Sequence, residues 1–153
     1  MYIGGKKMKE QEWNNVMEFL KEKEKRFIED FNIAPMIRDG CPLEIIELLI
    51  IMGNPITCSR LLFQAILNRR LSDTIQTMEL LKKYGINFNN EYAAEILYAF
   101  IEKEKFITAS FLIDNGADVH WKDNAIIKMA ISEAKENEYY YEILKALFNA
   151  KTY

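Results

Sequence analysis

The chain has 153 residues, half of them hydrophobic and 28% charged, with a formal net charge of -3 and a sequence pI near 5.3. That length suffices for one domain with a sizeable core, and the mildly acidic balance predicts no general attraction to phosphate backbones. The longest apolar run, Ile45 to Met52, is broken by Glu47 and falls far short of a bilayer span, and the start Met1-Tyr2-Ile3-Gly4-Gly5-Lys6-Lys7 lacks a signal peptide's apolar core. No membrane association and a cytoplasmic location are the expectations.

In chain order, the first signal is helical. Trp13, Val16, Met17, Phe19 and Leu20, then Phe27, Ile28 and Phe31, recur at three- and four-residue spacings, which predicts one or two amphipathic helices. The mixed-sign run Lys21-Glu22-Lys23-Glu24-Lys25-Arg26 reads as a solvated helix face or turn, not as a nucleic-acid arm. Asp39-Gly40 punctuates the chain before the apolar stretch Leu43-Glu44-Ile45-Ile46-Glu47-Leu48-Leu49.

Three segments then end alike: Leu48-Leu49-Ile50-Ile51-Met52-Gly53, Leu80-Leu81-Lys82-Lys83-Tyr84-Gly85 and Phe111-Leu112-Ile113-Asp114-Asn115-Gly116. Their glycines are 32 and 31 residues apart, a period that marks stacked repeats in which each unit buries its apolar face against its neighbours. Each glycine sits where a helix must stop, because it accepts a left-handed backbone without a Cβ clash. A short segment follows with one apolar residue, at Ile56, Phe88 and Val119, and then a polar cap: Thr57 or Ser59, Asn89 or Asn90, Asp123 or Asn124.

The pattern predicts second helices near 43–52, 73–84, 106–115 and 140–150, and first helices near 59–68, 90–104 and 124–136, the latter carrying Ala65, Ala99 and Ala130 at close-packed positions. Ile75, Met78, Leu81, Phe111 and Leu112 mark the buried stripe of the second helices. With three prolines, six glycines and no sustained strand alternation, the fold class is all-α.

The stretch from Phe111 to Ala130 resembles the junction between two ankyrin repeats, with its leucine, glycine and Ala117-Asp118-Val119 turn; the resemblance is clearest over 106–136. It implies an ankyrin-like helical solenoid of stacked helix-turn-helix units in a single domain over 1–153. A helical N-terminal cap would cover 1–32, a degenerate repeat 33–57, repeats 58–88 and 89–119, and a C-terminal repeat 120–153 in which Lys151 falls where the glycine would stand. The family's Thr-Pro-Leu-His opening is absent throughout, and Gly116 to Ala130 is about three residues short of the common length, so abbreviated fingers are expected.

Catalytic signals are sparse. Any Cys-His or Ser-His-Asp arrangement must use the single histidine, His120, which already has a turn position in the repeat and has neither a nucleophile motif nor an orienting partner. Asp114, Asp118, His120 and Asp123 could gather around a metal, but Asp118 reads as a turn residue and Asp123 as a cap. No glycine-rich phosphate loop is present, and Cys41 and Cys58 read as two thiols, with a bridge between them left open by the sequence. Catalytic residues, metals and cofactors are therefore expected to be none. Arg69-Arg70 reads as a solvated turn between helices.

What remains is recognition. The resemblance implies docking on the inter-repeat turns and the open side of the first helices, which draws on Ile56, Arg60, Gln64, Asn87, Phe88, Tyr92, Glu95, His120, Trp121, Lys122 and Lys128, with Asn54 beside them. Trp121 reads either as an interface anchor or as a ring packed on the next finger. Of Tyr139, Tyr140 and Tyr141, at least one ring should be exposed. The expected function is a non-enzymatic module that binds another protein or a protein–nucleic acid complex. Masking a single target, as a small phage or viral protein blocks a host or defence enzyme, would fit. The alternative is a self-associating scaffold, with dimerisation through the cap or the Tyr139 region.

Overall fold

The computed structural model describes residues 2–3, 6–7, 10–22 and 32–150. The expected helix around Phe27, Ile28 and Phe31, most of the mixed-charge run, and Lys151 lie outside the described residues. The described chain is helical apart from a short antiparallel ladder, β1 (Tyr2–Ile3) with β2 (Lys6–Lys7). The helices are α1 (Glu10–Lys21), α2 (Ile33–Arg38), α3 (Leu43–Ile51), α4 (Arg60–Leu67), α5 (Thr74–Lys83), α6 (Glu91–Glu102), α7 (Phe106–Asp114), α8 (Trp121–Ala134) and α9 (Tyr140–Asn149). No described helix is long and apolar enough to cross a membrane.

The chain divides into two compact units, Met1–Ile86 and Asn87–Tyr153. In the first, α2 pairs with α3 and α4 with α5, α2 lies along α4, α3 along α5, and α1 covers α3. In the second, α6 pairs with α7 and α8 with α9, while α6 lies along α8 and α7 along α9. Within each unit the core is the apolar stripe of every helix: Ile37, Ile46, Leu49, Phe63, Ile66, Met78 and Leu81 are fully buried in one, Ile96, Leu97, Ile101, Leu112 and Ile126 in the other. Ile75 and Phe111, expected in that stripe, are half-buried, as is Ala99, whereas Ala65 and Ala130 are buried.

The repeated glycines act as helix stops. Gly53, Gly85 and Gly116 have φ of 101, 102 and 92°, and the residue after each donates its N–H five residues back: Asn54 to Leu49 O, Ile86 to Leu81 O and Ala117 to Leu112 O, at 2.9–3.0 Å. That 6→1 bond satisfies a carbonyl the helix end would otherwise orphan. Each residue that donates it is buried, which ties chain reversal to packing. The same bond closes α2 (Cys41 N–H to Met36 O, 2.9 Å) and α6 (Lys105 N–H to Phe100 O, 2.8 Å), but at the latter the left-handed position is Glu104, with φ 59°.

Two helix starts carry caps the sequence anticipates. Ser59 Oγ accepts from Leu62 N–H at 3.2 Å and Asn90 Oδ1 from Ala93 N–H at 2.9 Å. The third does not: Lys122, Asp123 and Asn124 form a left-handed turn with φ of 48, 55 and 64°, so the regular part of α8 begins at Ala125 and neither Asp123 nor Asn124 caps it. Left-handed backbone costs non-glycine residues roughly 1–2 kcal/mol each, which makes this the most strained described segment.

Arg69 is a correction to the sequence reading. Its side chain is buried: Nη1 donates to Ile37 O at 2.9 Å, Nη2 to Cys41 O at 2.7 Å, and Nε to Asp73 Oδ1 at 2.6 Å. The Ile37 carbonyl also accepts from Gly40 N–H at 3.3 Å, and the guanidinium supplies enough N–H groups for both carbonyls and for a carboxylate. Arg70 alone is solvated, 4.0 Å from Asp39.

Candidate partner-binding surface

The predicted contact residues fall into two groups, one in each unit. In the first, α2 and α4 lie side by side, and the loop before α4 closes one end of the channel between them. Two hollows follow. The larger, about 310 Å³, is lined by the start of α2, by Pro55, Ile56 and Thr57, and by Ser59, Leu61 and Leu62. The smaller, about 160 Å³, lies a helical turn further on, between Ala34, Pro35 and Arg38 on one wall and Leu61, Gln64, Ala65 and Asn68 on the other.

Ala34 and Leu61 belong to both linings, so the hollows form one groove with Leu61, 58% exposed, as the ridge between its lobes. Small side chains on the facing walls keep the helices close yet leave a floor. Ile56 and Gln64 are thereby brought together on one surface, and Arg60 stands exposed on the first turn of α4. Leu61 and Arg38 were not anticipated; exposed leucine has no sequence signature, and Arg38 joins the groove only because α2 packs along α4. Asn54 is buried.

Arg38 is the one charged residue of the lining. Its Nε and Nη2 donate to the two carboxylate oxygens of Asp39 at 3.0 and 3.4 Å, an arrangement that raises the guanidinium pKa further. Cys41, beneath the α2–α3 turn, is buried, and burial pushes its thiol pKa up to about 12; Cys58 is exposed, and the two are not bridged.

In the second unit, the turn before α8 gathers His120, Trp121, Lys122 and Lys128. Asp118 Oδ1 accepts from His120 N–H at 2.9 Å, the local turn bond expected of it, and His120 Nδ1 lies 2.6 Å from Asn124 Oδ1. Trp121 is half-buried, with the Tyr98 ring edge-on at 6.2 Å between centroids and the Lys122 ammonium 4.7 Å from its ring centre. Lys128 pairs with Asp123 at 3.3 Å. Part of the Trp121 ring packs against Tyr98, and part stays accessible.

Tyr92 and Glu95 are half-buried on α6, and Asn87 is exposed, its carbonyl accepting from Asn90 Nδ2 at 3.0 Å. Phe88 is a correction. At 2% exposure, with its ring edge-on to Phe111 at 5.8 Å, it is a core residue and presents nothing to a partner. After Gly85 and Gly116 the single apolar residue turns inward, Val119 being likewise buried, whereas Ile56 after Gly53 is half-buried. Among the described residues, no three His, Cys, Asp or Glu side chains gather closely enough to hold a metal.

Comparison with protein-family models, with curated proteins and with solved structures returns no match for this chain.

Proposed function

We propose that the chain is a non-enzymatic binding module, an ankyrin-like stack of helix pairs that engages another protein, or a protein–nucleic acid complex, through the open side of its first helices. The observation that carries this reading is the two-lobed groove between α2 and α4, with an exposed leucine at its centre. A solvent-facing leucine flanked by hollows is the shape complement of an apolar anchor on a partner. The Trp121 turn adds a second contact of the same kind, and masking a single target is the use that follows.

Photo-cross-linking tests it. A benzoylphenylalanine at position 61 should give a discrete covalent adduct in cells of the native source, and one at the exposed Glu79 of α5 should not. Adducts equal at both positions, or at neither 61 nor 121, would remove the proposal.

A second reading, self-association, is favoured by α9 alone. Tyr140 is buried, while Tyr139, Tyr141 and Phe148 are 73, 56 and 64% exposed, with Tyr141 and Phe148 on one flank of the helix. Concentration-dependent mass in solution, lost in Phe148→Glu, would establish it.

A further inference from the structure

The solvent-facing flank of α9 is complementary to itself. We infer that its occupant is a second copy of this chain, with the two α9 helices side by side and antiparallel. This rests on the self-association reading and specifies the contact.

Spacing comes first. Tyr141 and Phe148 are seven residues apart on α9, two turns and about 10 Å along the axis, so their side chains leave the helix within about 20° of one another. They are 56 and 64% exposed. Leu144 and Lys145 lie between them, about 50° to either side: Leu144 is half-buried on the edge nearer the core residues Tyr140 and Leu147, and Lys145 is exposed on the other. Residues spaced i, i+3, i+4 and i+7 make one patch, the unit that packs against another helix.

Charge sets the direction. Glu142 shares the outer edge with Lys145, whose ammonium donates to Glu142 Oε1 at 3.2 Å, and the two side chains are 84 and 69% exposed. An ammonium has three donors and a carboxylate accepts more than one bond, so this pair can be shared across a contact without being broken. A two-fold axis at the midpoint of Tyr141 and Phe148 sets Tyr141 opposite Phe148 of the antiparallel copy and Leu144 beside its counterpart. The same axis leaves Lys145 about 3 Å along the helix from Glu142 of the other copy, on the same edge. In a parallel pair the two outer edges lie on opposite sides, and each Lys145 meets Leu144 instead. Only the antiparallel pair joins unlike charges across the contact, and it also opposes the helix dipoles.

Area sets the strength. An aromatic side chain presents about 150–250 Å², so at these exposures the four rings of a pair offer roughly 500 Å², about half of the roughly 1,000 Å² at which specific interfaces begin. The stems of Glu142, Leu144 and Lys145 add to this, which places the dimer at the weak end, with a Kd on the order of 10 μM. Residues 87–150 carry six cations against eleven anions, a repulsion between copies that physiological salt screens beyond about 8 Å; the cross-pairs are closer than that.

Sedimentation velocity of the full chain, up to about 100 μM in about 0.15 M salt, tests the contact. Glu142→Lys and Lys145→Glu should each weaken the dimer about ten-fold, because like charges then meet along the shared edge. Mixed in equal amounts, the two variants should associate at least as tightly as the parent: every cross-pair again unites opposite charges, although the pair inside each chain stays broken. Circular dichroism checks that each variant folds, since both side chains are exposed. Single variants as tight as the parent, or a mixture no tighter than its components, overturn the antiparallel contact; if Phe148→Glu still abolishes the dimer, self-association through α9 stands without it. A parent that stays monomeric at about 100 μM, or a dimer indifferent to Phe148→Glu, removes both.

Discussion

The two units use similar helix pairs but hold them together differently. Residues 32–86 carry six cations against five anions and fasten a turn with one buried guanidinium; residues 87–150 carry six against eleven and rely on ring contacts, Phe88 on Phe111 and Phe106 on Tyr140. The first takes its left-handed helix stops from glycine at 40, 53 and 85, while the second has one such glycine, Gly116, and places Glu104 and the run 122–124 in the same conformation. A buried guanidinium that bridges two carbonyls and a carboxylate is hard to substitute, because no other side chain offers as many donors. Ring packing degrades gradually. The first unit is therefore the more brittle, and the acidic second unit is the one that can accept drift in sequence.

The largest effect should come from that guanidinium. Arg69→Met strips the Cys41 carbonyl and the Asp73 carboxylate of the guanidinium and leaves Ile37 O only the 3.3 Å bond from Gly40 N–H, a loss of about 3 kcal/mol. In the second unit the nearest equivalent is Tyr140, whose buried hydroxyl donates to Ile101 O at 3.1 Å; Tyr140→Phe should cost about 1–2 kcal/mol. Trp13 and Trp121 report the units separately in Trp121→Phe and Trp13→Phe backgrounds. Denaturant titrations should show Arg69→Met moving chiefly the Trp13 midpoint and Tyr140→Phe chiefly that of Trp121. Identical shifts of both probes would break the comparison, since the units would then unfold as one.

Backbone strain gives a smaller, opposite-signed pair. A Cβ at Gly85 would meet nothing within 4 Å, so Gly85→Ala carries only the conformational penalty of φ +102°, roughly 1–2 kcal/mol. Glu104→Gly removes a comparable strain at φ 59° but frees the unfolded chain and loses the 2.8 Å bond from Asn137, for a net gain of about 0.5 kcal/mol. Thermal melts check both; a stabilising Gly85→Ala would contradict the reading of these turns.

These turns also explain what the sequence made legible. Glycine at a fixed spacing, and Ser59 and Asn90 ahead of apolar runs, are local signals: each acts within five residues of itself, so the second-helix boundaries fall within about two residues of their expected places. Arg69 was illegible because its acceptors, Ile37 and Cys41, lie 32 and 28 residues away, and beside Arg70 it has the look of an exposed pair. The left-handed run at 122–124 has only the tolerance of Asp and Asn for that conformation as a cue, which the same residues share with helix caps. Phe88 lost its expected surface role because packing against a neighbouring helix decides which apolar side chain faces in. Gln64 and Ile56 were legible as surface, but the groove they share depends on how close Ala34 and Ala65 let α2 and α4 approach.

The smallest effect is electrostatic and belongs to the first unit. Glu47 on α3 accepts from Lys83 Nζ at 3.1 Å and from the Tyr84 hydroxyl at 3.0 Å, tying α3 to the end of α5. The hydrogen bond from Lys83, then that from Tyr84, holds the carboxyl pKa below its ordinary value, and the Lys83 ammonium is raised in turn. A group whose pKa is lower in the folded state stabilises fully above its unfolded pKa and loses that contribution as pH falls through the folded one. Glu47→Gln should therefore lower Tm slightly at pH 7, and the gap from the parent should close as the pH drops below the usual carboxylate range. The pair is solvent-facing, so added salt should narrow the gap at pH 7 as well. A difference that persists unchanged in acid would mean that Glu47 acts through packing against Tyr84, and that even this surface link in the first unit is held by shape and not by charge.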